Sequence, residues 1–304
     1  MLSENMLFQV ATFVSLIGMT LGWRGVMTKY SGFYDLPTAW NQMFWGIIIG
    51  MVYATTYYSS LVDPYFKLIA EVEGAQVPNP GSLLILAVVL SVTVHMLLRR
   101  ERVRKGGSHP TSGWALGLAI GGMTSMVLIF RFLQYEESIF SARLLLTIAA
   151  IAIITPRCEA MITAHQGFMI LNGRKWGAVF RSATWRIGLL VMIPYSIANP
   201  FGWVFIGSML MIIDPKIEDW VWASIPKPAR RRLRRIWASN EREKRSKESL
   251  GEENLVQLQD STGTLKQEPE ETSKITTVVQ NITYNIHDSA ISGDINTSFN
   301  SENE

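Results

Sequence analysis

Arg157, Cys158, Glu159, His165 and Asn172 share one short stretch, "PRCEAMITAHQGFMILNG", residues 156 to 173, whose other residues are apolar enough for a bilayer. An ionisable side chain at the bilayer centre costs about 3 kcal/mol or more, so such groups turn inward, pair with one another and mark sites. On a helix, Asn172 lies two turns on from His165 and almost directly over it, with Phe168 and Met169 flanking the same face. Further along, Tyr195 and Asn199 stand one turn apart between Pro194 and Pro200, which free backbone carbonyls for other partners. Groups so placed either hydrogen-bond across helices or build a polar or metal site where two spans meet. His95, Arg131, Glu136 and Glu137 read more simply, as side chains near a membrane boundary that reach the interface.

Helices in a membrane must position these residues. The chain has 304 residues, 48% apolar and only 17% charged, and most of the charges fall in residues 214 to 304. Crossing about 30 Å of hydrocarbon takes roughly 17 to 25 apolar residues. Five stretches qualify: 6 to 23, 43 to 62, 80 to 98, 114 to 133 and 139 to 155. A sixth, 158 to 173, is short and polar, and a seventh, 187 to 213, is long and interrupted by prolines. The expected fold is therefore an all-α, polytopic transmembrane bundle of about seven spans over residues 1–213. Gly113, Gly117 and Gly121, with the pairs Gly18/Gly22 and Gly46/Gly50, fall on helix faces where backbones approach closely, which predicts packing within the bundle. The N-terminus lacks the basic region and cleavage site of a signal peptide, so the first span is expected to stay.

Lys and Arg concentrate in cytoplasmic loops. "RRERVRKGG" is strongly basic, whereas "DPYFKLIAEVEG" and "QYEES" are acidic or neutral. This places the N-terminus outside and the C-terminus in the cytoplasm of a cell-membrane protein. One loop disagrees, because Arg174, Lys175, Arg181 and Arg186 fall outside if 158–173 crosses fully. That segment is then expected to be re-entrant or interfacial.

The order Arg157, His165, Gly173, followed by Tyr195 and Asn199, resembles the second half of the PrsW-type intramembrane protease family, which is related to the CAAX-processing proteases. The similarity covers about residues 130–205: "YEESIF" matches the Glu-Asn step, "PRCEAMITAHQGFMILNG" the Arg-to-His span and "PYSIANP" the final motif. The resemblance implies Glu137 and His165 as catalytic residues, with Arg157, Asn172, Tyr195 and Asn199 on the substrate side. It further implies a metal, zinc, held by His165 and Asn199. General-base hydrolysis needs a carboxylate, and a water-activating metal normally has three protein ligands. Here no earlier paired-glutamate motif precedes "YEESIF", and Tyr195 stands where the family has its last histidine. The resemblance thus implies a diverged, non-catalytic relative that binds other membrane segments.

The tail separates into three parts. Residues 214–247 read as a basic juxtamembrane helix, in which Trp220, Trp222, Arg230, Arg231, Arg232, Arg234 and Arg235 suit anionic lipid headgroups. Nucleic acid is not expected, because no fold or stacking platform accompanies the charge. Residues 248–274 are acidic and poor in groups to bury, a disordered cytoplasmic linker. Residues 275–297, "ITTVVQNITYNIHDSAISGDINT", alternate in period two and resemble a short C-terminal motif of archaeal membrane proteins. A lone strand or hairpin is not stable in water, so this piece calls for a membrane-protein partner or a second copy of itself.

No Walker A loop, HExxH, CxxC or nucleophile elbow is present, and the single cysteine, Cys158, excludes an intramolecular disulfide framework and a cysteine-based structural zinc site. Besides the PrsW-like reading, two others stand: a small-solute or ion transporter using the polar faces of the last two spans, and a membrane anchor or scaffold for the tail.

Overall fold

A computed structural model describes residues 3–135, 141–226, 228–242 and 245–246, and all regular structure among them is helical. Contacts divide the chain into residues 1–242 and 243–304, and the first unit holds every element below. These are α1 (Glu4–Val26), α2 (Leu36–Tyr57), α3 (Asp63–Ile69), α4 (Pro80–Leu98), α5 (Glu101–Gly106), α6 (His109–Tyr135), α7 (Ala142–Leu171), α8 (Lys175–Ala198) and α9 (Phe201–Ser224). A π-helical turn, Tyr58–Val62, carries α2 into α3, and a further helical run covers 228–242. The linker at 248–274, the motif at 275–297 and Glu137 lie outside the described residues.

Local chemistry fixes the helix starts. The side chains of Ser3, Asp35, Asn79 and Ser141 accept hydrogen bonds from the otherwise orphan N–H groups of Met6, Thr38, Gly81 and Leu144. Pro37 and Pro80 sit in the first turn, where a missing N–H costs nothing.

α1, α4, α6 and α7 are long and apolar enough to cross a membrane. α2, α8 and α9 are as long and pack beside them, but α8 carries Lys175, Arg181 and Arg186, and α9 carries Asp214, Lys216, Glu218 and Asp219. α6 is the hub, 78% buried over its apolar stretch. Its glycine face meets backbone: a Cβ at Gly113 would lie 2.5 Å from the Thr163 carbonyl, and one at Gly121 would lie 2.6 Å from Pro156 Cα. On the α2 side, Gly46 faces the Leu116 carbonyl and Gly50 the Ile120 backbone. The glycine sets thus pack helices within the chain, as their spacing predicts.

Two boundaries differ from the sequence reading. The segments 139–155 and 158–173 are one 30-residue helix, α7, with Pro156 inside it. The segment 187–213 is instead divided between α8 and α9, broken at Asn199 and Pro200. An interior proline removes one backbone hydrogen bond and crowds the carbonyl four residues back, which a helix tolerates where its neighbours accommodate it. Pro156 cannot donate to Ala152 O, and Gly18 of α1 lets that helix pack close against the same carbonyl. Pro194 cannot donate to Leu190 O, and the Tyr57 hydroxyl donates to it at 2.9 Å. The re-entrant expectation for 158–173 is therefore corrected. With the two halves joined, Arg174 and Lys175 fall at the same end of the bundle as the basic loop after α4. The expected boundary at 213/214 lies inside α9.

Candidate functional site

His165 lies on α7, half-buried, in a groove of about 480 Å³ formed with α8 and α9. Its ring packs against Trp220 of α9 at 4.9 Å, and Phe168 stacks on the same indole. The walls are apolar, from Met161, Ile162, Leu189, Met192, Phe205 and Met209, while Arg181 and Lys216 stand beside His165. Asn172, the C-cap of α7, is exposed and does not line this groove.

Tyr195 and Asn199 lie at the other end of α8. Asn199 donates to the Tyr195 hydroxyl at 3.1 Å and accepts from the Phe201 N–H at 3.2 Å, so it closes the turn into α9. Arg143, near the start of α7, donates to the adjacent Ala198 carbonyl at 3.1 Å. From Arg143 to His165 is about 33 Å along α7 at the helical rise. His165 and Asn199 therefore do not meet, and a zinc ion cannot be shared between them. Among the described residues no three His, Cys, Asp or Glu side chains come together, whereas zinc sites take three or four protein ligands. The placed residues do not fit a metal centre.

Arg157 is held by Asp214 of α9, to which its Nε donates at 3.1 Å with a second bond from Nη2. This charge ties two helices and is not free for a substrate. Its neighbour Glu159 faces the core. Arg186 of α8, fully buried, donates from Nε to Glu159 Oε2 at 3.2 Å and from Nη1 to Ser91 Oγ of α4 at 2.7 Å. Gln166 donates to the Ser91 carbonyl at 2.8 Å and accepts from Arg186 Nη1 at 3.4 Å. Among the described residues, Nη2 of Arg186 has no hydrogen-bond partner. α4, α7 and α8 are thus joined by one charged knot that sequence reasoning missed, having placed Arg186 in a loop. Its signal was the polar stripe Thr155, Glu159, Thr163 and Gln166, which recurs at helical spacing on one face of α7.

The tail aromatics face protein. Trp222 stacks on Trp237 at 5.6 Å, and both lie against buried Tyr30, with Leu233 in the same cluster. Burial, followed by the charges of Glu218 and Asp219, pushes the Tyr30 hydroxyl up to about 12, which keeps it neutral within the cluster. Arg230 donates to the Ile225 and Ala223 carbonyls at the end of α9, and the Arg234 guanidinium lies 5.4 Å over the Trp222 ring. Arg231, Arg232 and Arg235 are exposed. Of the residues expected to meet lipid, Trp220, Trp222 and Arg230 are engaged by the protein itself. No protein-family model, curated protein or solved structure matches the chain.

Proposed function

We propose that this chain is a multi-pass membrane protein that works by binding a membrane-borne apolar chain, without catalysis, in the groove between α7, α8 and α9. The groove carries the reading: it is the place where His165, two tryptophans and a wall of flexible apolar side chains converge. The PrsW-like resemblance fits as a diverged relation that keeps the span order and has lost the ligand set. α2, α8 and α9 would cross the membrane with the four apolar helices, their charges turned to the core, to other helices or to the interface.

Orientation follows from the ends of the helices. Arg99, Arg100, Arg102, Arg104, Lys105, Arg174 and Lys175 share one end with the tail arginines, while Asp63, Glu71 and Glu73 lie at the other. The basic end belongs in the cytoplasm, and the N-terminus then lies outside. Exposed Arg231, Arg232 and Arg235 would meet anionic headgroups there.

A photo-crosslinking side chain at Met209 tests the binding reading in native membranes, with outward-facing Val204 as control. Crosslinks from 209 should be abolished when Gly188→Phe fills the groove, while those from 204 persist. Equal crosslinking at both positions, indifferent to Gly188→Phe, would show that the groove holds nothing.

A further inference from the structure

We propose, building on the groove-binding reading above, that the occupant is an anionic diacyl lipid from the cytoplasmic leaflet. Its phosphate would rest between Arg181 and Lys216, and an acyl chain would lie along α8 and α9. Every formally charged residue lining the groove is basic, and among the described residues neither Arg181 nor Lys216 has a hydrogen-bonded or ion-paired partner. Of the acids along α9, Asp214 is bound by Arg157 and Glu218 by Lys29 at 2.7 Å, while Asp219, three residues on from Lys216, makes no ion pair with it among the described residues. Two cations against that one unengaged carboxylate leave the mouth of the groove net positive.

Depth supports the same occupant. Arg181, Lys216 and His165 each lie within about 12 Å of the basic end of their helices at the helical rise, close to headgroup level. Trp185 and Trp220 stand beside them, as indoles do at an interface. From Lys216 the groove continues to Phe205, about 16 Å along α9 toward the bilayer centre, and is lined there by Met192, Met209 and Leu210. Methionine adapts to a flexible chain better than branched side chains do. Gly188 leaves the wall open, since a Cβ there would meet nothing within 4 Å.

The groove is sized for a small ligand: its volume of about 480 Å³ falls within the range of about 300–1,000 Å³ usual for such sites.

The test is native mass spectrometry of the full-length protein in detergent, titrated with phosphatidylglycerol or with phosphatidylcholine of the same chains. Wild type should retain the anionic lipid about thirtyfold more tightly, the effect of two headgroup contacts, and Arg181→Gln/Lys216→Gln should erase that preference. Gly188→Phe should lower binding of both lipids while leaving the unfolding temperature in place, because its side chain enters open space. If both lipids bind alike and the double variant changes nothing, yet Gly188→Phe still blocks them, the groove holds an apolar chain and the anionic assignment fails. If Gly188→Phe has no effect on either lipid, both readings fall.

Discussion

At the scale of single residues, Arg186 and Glu159 form an ion pair buried in the bundle. Both are essentially out of reach of solvent, and each is the other's counter-ion. Replacing Arg186 with Leu leaves a bare carboxylate in the core and should cost about 3–5 kcal/mol, whereas Arg186→Leu/Glu159→Leu should regain most of it. Denaturant unfolding in detergent reads this directly, and a double-variant loss equal to the sum of the Arg186→Leu and Glu159→Leu losses would show the pair to be uncoupled. Little of the candidate site was legible one residue at a time: of the site residues read from the sequence, His165 and Trp220 line the groove, and Arg157, Asn172, Tyr195 and Asn199 do not. The partners of His165 were not legible, because Arg181 and Lys216 come from elements whose register depends on where α8 begins and ends. Asn199 was grouped with His165 because both are polar and follow in order, but side chains at opposite ends of antiparallel helices can be neighbours in sequence logic only.

At the scale of elements, the prolines explain both what the sequence disclosed and what it concealed. Pro156 reads as a break, yet α7 continues through it, with Gly18 of α1 packed close against the backbone at Ala152. That packing comes from another helix, so no window around Pro156 contains it. The glycine spacing on α6 was legible because it is a local pattern with a single geometric meaning. It yields a paired prediction. Gly117→Leu drives a side chain into Thr163 and the Glu159 carbonyl, and should destabilise the α6/α7 pair by about 1–3 kcal/mol or more. Gly188→Ala meets open space and should be neutral or stabilising by up to about 1 kcal/mol. Thermal unfolding of the two variants side by side checks the contrast, and a Gly117→Leu protein as stable as wild type would contradict the close approach.

At the scale of the whole molecule, joining 139–155 to 158–173 puts Arg174 and Lys175 at the end of the bundle that holds the basic loop 99–105, and removes the one loop that had opposed this grouping. Because Cys158 is the only cysteine and is buried, single introduced thiols can report orientation cleanly. Glu73→Cys should react with a membrane-impermeant maleimide on intact cells, and Lys105→Cys only after permeabilisation; the opposite pattern would invert the topology. The central position of α6 bears on how the protein is made. α1 and α2 both pack on α6, which follows them in the chain by more than a whole further helix. During synthesis the first two helices would therefore wait with Gly22, Gly46 and Gly50 still unpacked. Chains halted before residue 109 would present those bare faces to quality control, so that biogenesis becomes committed when α6 leaves the ribosome and not when the first helix inserts.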